Sequence, residues 1–305
     1  MALSTLSGDE QGIILGQLRN ALEPRLVMYF SSASKELRAL LPAAARQQLR
    51  TDYEAATALC LKVGMRDSKE LSEAVEVEWK DKGLSEADLA TLATLGSVLP
   101  ALEGLSLEEP AGSAGPDGVL QLAKGLVAGA LPAVTTLDIS GMHVGDAGAS
   151  ALAAALDRGA MPRLNSLLLW NAAISDAALA ALAPAVRRRP ALEDLFLSGN
   201  PFGDEGLAAL VAPPPPPAGT PPLPAGGLKK LKTLQIWDTE VTDAGCATLV
   251  AALDSGTLPA LKDVDVEYIP ASDAAIDAVY EAVARSRAAA VASEAERAAM
   301  AESAA

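Results

Sequence analysis

The sequence predicts an α/β solenoid, with short parallel strands stacked on the inside and helices outside, preceded by a small all-helical region. Three observations predict it. Apolar residues recur in the same pattern at seven points, starting at Ala74, Leu102, Val134, Leu164, Leu192, Leu231 and Leu261. The intervals are 28, 32, 30, 28, 39 and 30 residues, a period that belongs to stacked repeats. Within each unit a spacing of two gives way to a helical spacing. Half of the 305 residues are apolar but only 3% are aromatic, so the shared core is aliphatic.

The strand comes first in each unit. Apolar residues fall at the first, fourth and sixth places: Val134, Leu137 and Ile139; Leu164, Leu167 and Leu169; Leu192, Leu195 and Leu197; Leu231, Leu234 and Ile236. The step from fourth to sixth is the strand period. About ten places in comes another apolar residue, as Leu84, Val144, Ile174, Phe202 and Val241. A polar turn follows, written GDAG, SDAA, GDEG or TDAG. Its acids, Asp146, Asp176, Asp204 and Asp243, are expected to cap the helices behind them. The helix then shows one apolar stripe, as in Leu179, Leu182 and Val186, or Cys246, Leu249 and Leu253. Cys246 is therefore read as core, not as a nucleophile. A single unit cannot bury its apolar face, but stacked copies can. Strands crowd more closely than helices, so the stack curves into a horseshoe.

This pattern resembles the leucine-rich repeat, L-x-x-L-x-L-x-x-N, and within it the ribonuclease-inhibitor type with long helical units. The resemblance covers residues 74–283. It departs at the ninth place, where the family's Asn bonds one turn to the next. Only Asn200 keeps it; Met142, Ala172 and Thr239 stand there in other units. Register is then expected to rely on packing. The long interval comes from APPPPPAGTPPLPAGG, residues 212–227. Proline favours the extended polyproline helix there, and the segment carries P-x-x-P, read as an exposed loop at a helix end.

The two ends do not follow the repeat. Residues 1–73 have helical apolar spacing: Ile13, Ile14 and Leu18; Leu26, Val27 and Phe30; Leu37 and Leu40. Pro24 fits the first turn of a helix. Three or four short helices ending near Cys60 are expected. The order of these segments, with PRLVMYFSSASKELRAL, resembles an F-box over about 35 residues, although it opens with LSGDE where that family has Leu-Pro-x-Glu. The resemblance implies docking to a Skp-type adaptor of a ubiquitin ligase. The other reading is a helical cap on the first repeat. Residues 284–305 are Ala-rich and read as a helical tail.

Composition narrows the function. The formal net charge is −15, which argues against nucleic acid and anionic membranes as partners. No apolar run near the start is long enough for a signal peptide, and none approaches a membrane span. Cys60 and Cys246 are far apart and in apolar surroundings, so neither a disulfide nor a metal site is expected. A cytoplasmic or nuclear location fits. His143 is the single histidine and reads as a solvated turn residue, with no neighbours to complete a metal site or triad. DVDVE, residues 263–267, reads as an acidic strip. No catalytic residue, cofactor or metal is expected.

The informative places lie between the scaffold residues. If the fourth and sixth places face the core, the fifth and seventh face the concave surface. From the second unit on, the fifth places are Ser106, Asp138, Leu168, Phe196, Gln235 and Asp265. The seventh are Glu108, Ser140, Trp170, Ser198, Trp237 and Glu267. Trp170 and Trp237 thus stand about 10 Å apart across Ser198, whereas Trp79 occupies a core place. Clustered exposed aromatics mark binding sites. The expected partner site is Trp170, Phe196 and Trp237 with Leu168, Gln235, Asp138, Asp265 and Glu267. The leading reading is a non-catalytic protein-binding module, in its sharper form the substrate receptor of a ubiquitin ligase. The alternatives are a GTPase regulator, using the basic cluster Arg187, Arg188 and Arg189, and a structural subunit of a larger assembly.

Overall fold

Seven three-residue strands build one parallel sheet in chain order: β1 (Glu76–Glu78), β2 (Gly104–Ser106), β3 (Thr136–Asp138), β4 (Ser166–Leu168), β5 (Asp194–Phe196), β6 (Thr233–Gln235) and β7 (Asp263–Asp265). The computed structural model describes residues 20–22, 25, 29, 43–109, 114–115, 117–212 and 228–303. The F-box-like stretch, apart from residues 20–22, 25 and 29, lies outside the described residues. So does the proline-rich insertion beyond Ala212.

The strands pair in phase. Val77, Leu105, Leu137, Leu167, Leu195, Leu234 and Val264, the fourth place of every unit, form one continuous row. All seven are buried. The helices α1 (Ala43–Val63) and α2 (Ser68–Glu73) precede the sheet. One helix then follows each strand: α3 (Glu86–Leu95), α4 (Gly118–Gly125), α5 (Gly145–Asp157), α6 (Asp176–Arg187), α7 (Asp204–Val211), α8 (Asp243–Asp254) and α9 (Asp273–Ser303). From α3 to α9 each packs on the next as an outer layer. The expected stripes are buried, including Leu179, Leu182 and Val186, and Cys246, Leu249 and Leu253. Trp79 is core, and Cys60 and Cys246 are free, buried thiols.

The turn acids do not cap their own helices. Asp176, Asp204 and Asp243 are the first helical residues, and Asp146 is the second of its helix. The caps of α6 and α8 are Ser175 and Thr242, whose hydroxyls accept from Ala178 and Ala244 N–H. Each acid instead reaches the following unit. Asp146 accepts from the Ser175 hydroxyl at 2.6 Å. Asp176 accepts from Gly203 and Gly206 N–H at 2.8 and 2.7 Å. Asp204 accepts from the Thr242 N–H and hydroxyl at 2.8 and 2.6 Å. Asp243 accepts from the Ser272 N–H and hydroxyl at 2.6 and 3.0 Å. A staircase of carboxylates therefore joins helix N-termini, where negative charge is favoured. It explains the glycine of GDEG, because a Cβ on Gly206 would stand 2.7 Å from Asp176 Oδ1.

The ninth-place ladder is also fuller than the sequence implies. Asn200 Oδ1 accepts from Ala172 and Ile174 N–H, and its Nδ2 donates to Leu169, Leu197 and Ser198 carbonyls. Leu84 occupies the place of Ile174 in the first unit. Its N–H donates to the buried Glu109 carboxylate at 3.0 Å. An acid one place earlier thus does in the second unit what Asn200 does in the fifth. The eighth place is left-handed in six units, at Asp81, Gly141, Asn171, Gly199, Asp238 and Tyr268, with φ between 49 and 73°. Gly, Asn and Asp accept that conformation most readily, and five of the six are of those types.

Both ends are helical. Toward the N-terminus α1 is a single helix of 21 residues that ends just past Cys60; the shorter helices expected before it fall largely outside the described residues. It buries Leu49, Ala56, Leu59, Cys60 and Val63 and packs on α3. Lys62 holds Asp88 of α3 at 2.6 Å. At the other end, α9 runs 31 residues without a break at 284. Its Val279, Ala282 and Val283 are buried, and Arg285 holds Asp254 at 3.1 Å.

Candidate protein-binding face

In-phase pairing puts like places of every unit side by side. Asp138, Leu168, Phe196, Gln235 and Asp265, all fifth places, are successive partners across β3 to β7. All five are half-buried on the concave side of the sheet. The alternation that fixes them is set by the Leu, Ile and Val residues on either side, which are buried at the fourth and sixth places. Two residues further on, Trp170 and Trp237 stand in the seventh-place row with Ser140, Ser198 and Glu267.

Trp170 is 36% exposed and meets Phe196 edge to face, with ring centroids 5.7 Å apart and planes at 78°. This is a favourable geometry for two rings. Trp237 is half-buried. The seventh-place serines are less open than the alternation alone suggests. Ser140 and Ser198 are buried, at 4% and 0% exposure. Ser140 Oγ accepts from the Trp170 N–H at 3.2 Å. Ser198 Oγ has no hydrogen-bond partner among the described residues.

Acids stand on both sides of the aromatics. Toward β1 a depression of about 430 Å³ is lined by Glu76, Glu78, Lys80, Glu108 and Asp138 and reaches Leu168. Lys80 and Glu108 are paired at 2.8 Å, and Asp138 accepts from the Ser106 hydroxyl at 3.2 Å. The hydrogen bond that the Lys80 ammonium donates to Glu108 raises the Lys80 pKa, so this ammonium stays charged. Toward β7 stand Asp265 and the exposed Glu267. The sequence reading missed the third-place row, from Glu76 through Asp194 to Asp263. Strand alternation puts the third place on the same face as the fifth, so the signal was available.

The remaining candidates lie elsewhere. His143 is exposed in the turn before α5. Among the described residues no group of three or more His, Cys, Asp or Glu side chains could hold a metal ion, and no helix is long and apolar enough to cross a membrane. The arginine cluster is engaged at helix ends. Arg187 donates to the Ala209 and Leu210 carbonyls at the end of α7, and Arg189 to those of Leu156 and Met161. Arg188 makes a bidentate pair with Asp157, at 2.6 and 2.7 Å from one nitrogen.

The family model described as Leucine Rich repeat matches residues 131–153 and 191–211, which fall in the third and fifth units. Comparison with curated proteins gives no match. Among solved structures, the chain is similar to the leiomodin-1 actin-binding site 2, at 13% identity over 61% of this chain and 96% of that one, with a TM-score of 0.41. It is similar to a tropomodulin C-terminal domain of Caenorhabditis elegans, at 17% identity over 60% and 99%, also with a TM-score of 0.41. An internalin C2 of Listeria monocytogenes matches at 18% identity over 72% and 85%, with a TM-score of 0.37. Seven in-phase parallel strands, each followed by an outer helix, give the chain the architecture of a leucine-rich-repeat solenoid, and the repeat model matches two of its stretches.

Proposed function

We propose that the chain is a non-catalytic protein-binding module that seats another protein on its concave face. The contact centre is Trp170, Phe196 and Trp237, with Leu168 and Gln235 beside them and Asp138, Asp265 and Glu267 as a polar rim. The observation that carries this reading is the Trp170–Phe196 pair, held together yet open to solvent on the inner face. Large aromatics at the centre of a patch contribute most of the binding energy at interfaces, about 2 kcal/mol or more each on truncation. The scaffold under them is anchored, because each follows a buried apolar residue, Leu169, Leu195 or Ile236.

The test is affinity capture from native cells with the full chain and with a Trp170→Ala/Trp237→Ala variant. Partners retained by the first should be lost by the second, at least about 30-fold in affinity, while the thermal unfolding midpoint stays within a few degrees. An unchanged affinity would sink the proposal. The sharper form makes the N-terminal helices an adaptor-docking module and the chain a ubiquitin-ligase substrate receptor. It rests on the sequence of residues 1–73 and predicts co-purification with a Skp-type adaptor. A GTPase regulator would need a free arginine, and the guanidinium groups of Arg187, Arg188 and Arg189 are held at helix ends.

A further inference from the structure

The concave face carries a charge pattern as well as an aromatic patch. Among the described residues, the third, fifth and seventh places of the seven units hold eight carboxylates and one ammonium, Lys80. The whole chain holds 39 acids against 24 bases, so the face is far more one-sided than the composition that keeps the chain soluble. Lys80 is itself paired with Glu108. The acids bracket the aromatics: Glu108 and Asp138 stand on the β1 side, Asp265 and Glu267 on the β7 side. A second, independent observation lies between the acids: Trp170 meets Phe196 edge to face, with ring centroids 5.7 Å apart, and remains 36% exposed.

We infer that the concave face takes a basic polypeptide segment: an apolar side chain seated between Trp170 and Trp237, with Lys or Arg on either side reaching the two acidic flanks. This rests on the protein-binding reading above and names the chemistry of its partner. A concave surface of one sign focuses its field and raises the local concentration of opposite charge. The indoles add attraction for a guanidinium lying on their faces. The span fits a short peptide. From β3 to β7 is four strand spacings, roughly 19 Å at ~4.8 Å each. An extended chain covers that in about six residues, so the flanking bases stand about six residues apart.

The experiment is selection of random peptides of about 16 residues, displayed on phage, on the full chain. The peptides recovered are then measured by fluorescence anisotropy on three proteins: the parent, Trp170→Ala/Trp237→Ala, and Glu108→Gln/Asp138→Asn/Asp265→Asn/Glu267→Gln. Circular dichroism checks that the variants fold; the carboxamides preserve side-chain shape and an accepting oxygen. Recovered peptides should carry Lys or Arg on both sides of an apolar residue. They should bind each variant at least about tenfold more weakly. Affinity for the parent should fall about tenfold between roughly 0.05 and 0.5 M salt, and that dependence should flatten in the carboxamide variant. Peptides that need the tryptophans but are neutral or acidic overturn the charge inference and leave the concave site standing. Peptides indifferent to both sets of substitutions overturn both. Recovery of no peptide overturns the basic-segment inference, and the capture experiment then decides the concave site alone.

Discussion

Asn200 makes five hydrogen bonds, four of them to the backbone of its own and the preceding unit at 3.0 Å or less. All are inside the solenoid, where the side chain is 2% exposed. Removing it strands two N–H donors and two or three carbonyls away from water. Each buried group left unpaired costs about 1–3 kcal/mol, with some relief from relaxation. Asn200→Ala is therefore expected to lower the unfolding free energy by about 3 kcal/mol, read from the denaturant midpoint at constant slope. A loss under about 1 kcal/mol would show that packing alone holds the register. The residue was legible in the sequence as the one consensus ladder Asn. Glu109 was not, because nothing local marks an acid 25 residues after Leu84 as its partner. Tyr268 shows the opposite case. It is 80% exposed and left-handed, φ 54°, at a place held by Gly, Asn or Asp in the other five left-handed units, and nothing else in the structure explains an aromatic there.

At the scale of elements, what the chain advertises depends on how densely its pattern is written. Strands and outer helices repeat seven times, and each leucine at the fourth and sixth places restates the period. The α1 helix has no such redundancy. Only five of its 21 residues are buried, and three of those are Ala, Cys or Val, so its stripe is thin. The Asp staircase was misread for a related reason. An Asp beside a helix start is a cap by local rules, and only the coil of the solenoid brings the next unit's N-terminus to it. The docking of α1 is open to a pH test. Burial works against the Asp88 carboxylate, but hydrogen bonds from Lys62 and Ser85 outweigh it and hold Asp88 below its ordinary range. A depressed carboxyl stabilises the fold above its unfolded pKa, about 3.8, and that contribution is lost as pH falls through the lower folded value. Amide protection factors, corrected for the intrinsic rate at each pH from 5 down toward about 3, should fall in α1 and in the first turn of α3 before they fall in α5 and α6. A uniform loss of protection along the chain would refute a special role for the Lys62–Asp88 pair.

For the whole molecule, a solenoid has two open ends, and each exposes the apolar side of a unit unless something covers it. At the C-terminal end that cover is α9, packed along α8. Of the described side chains of α9, Val279, Ala282 and Val283 are buried in the core and Ala275 and Ile276 pack against it, with Arg285 tied to Asp254 just beyond. The part of the cover that the described side chains form lies in the first half of a 31-residue helix. This division predicts different results from two truncations. Ending the chain after Ser272 removes all of those contacts and leaves the apolar face of α8 in water. At about 25 cal/mol per Å² of apolar area, loss of two buried valines, an alanine and the α8 surface they shield amounts to about 4 kcal/mol, roughly 10 °C in unfolding midpoint for a domain of this size. Such a chain should also bind a hydrophobic dye and elute early from a sizing column, since uncapped repeats associate through their exposed ends. Ending it after Ala289 keeps the cover and should shift the midpoint by no more than about 2 °C. Thermal scans of the two chains beside the parent make the comparison. Equal midpoints for both truncations would mean that α8 closes the core by itself. A large loss in the longer one would place the cover in the second half of the helix.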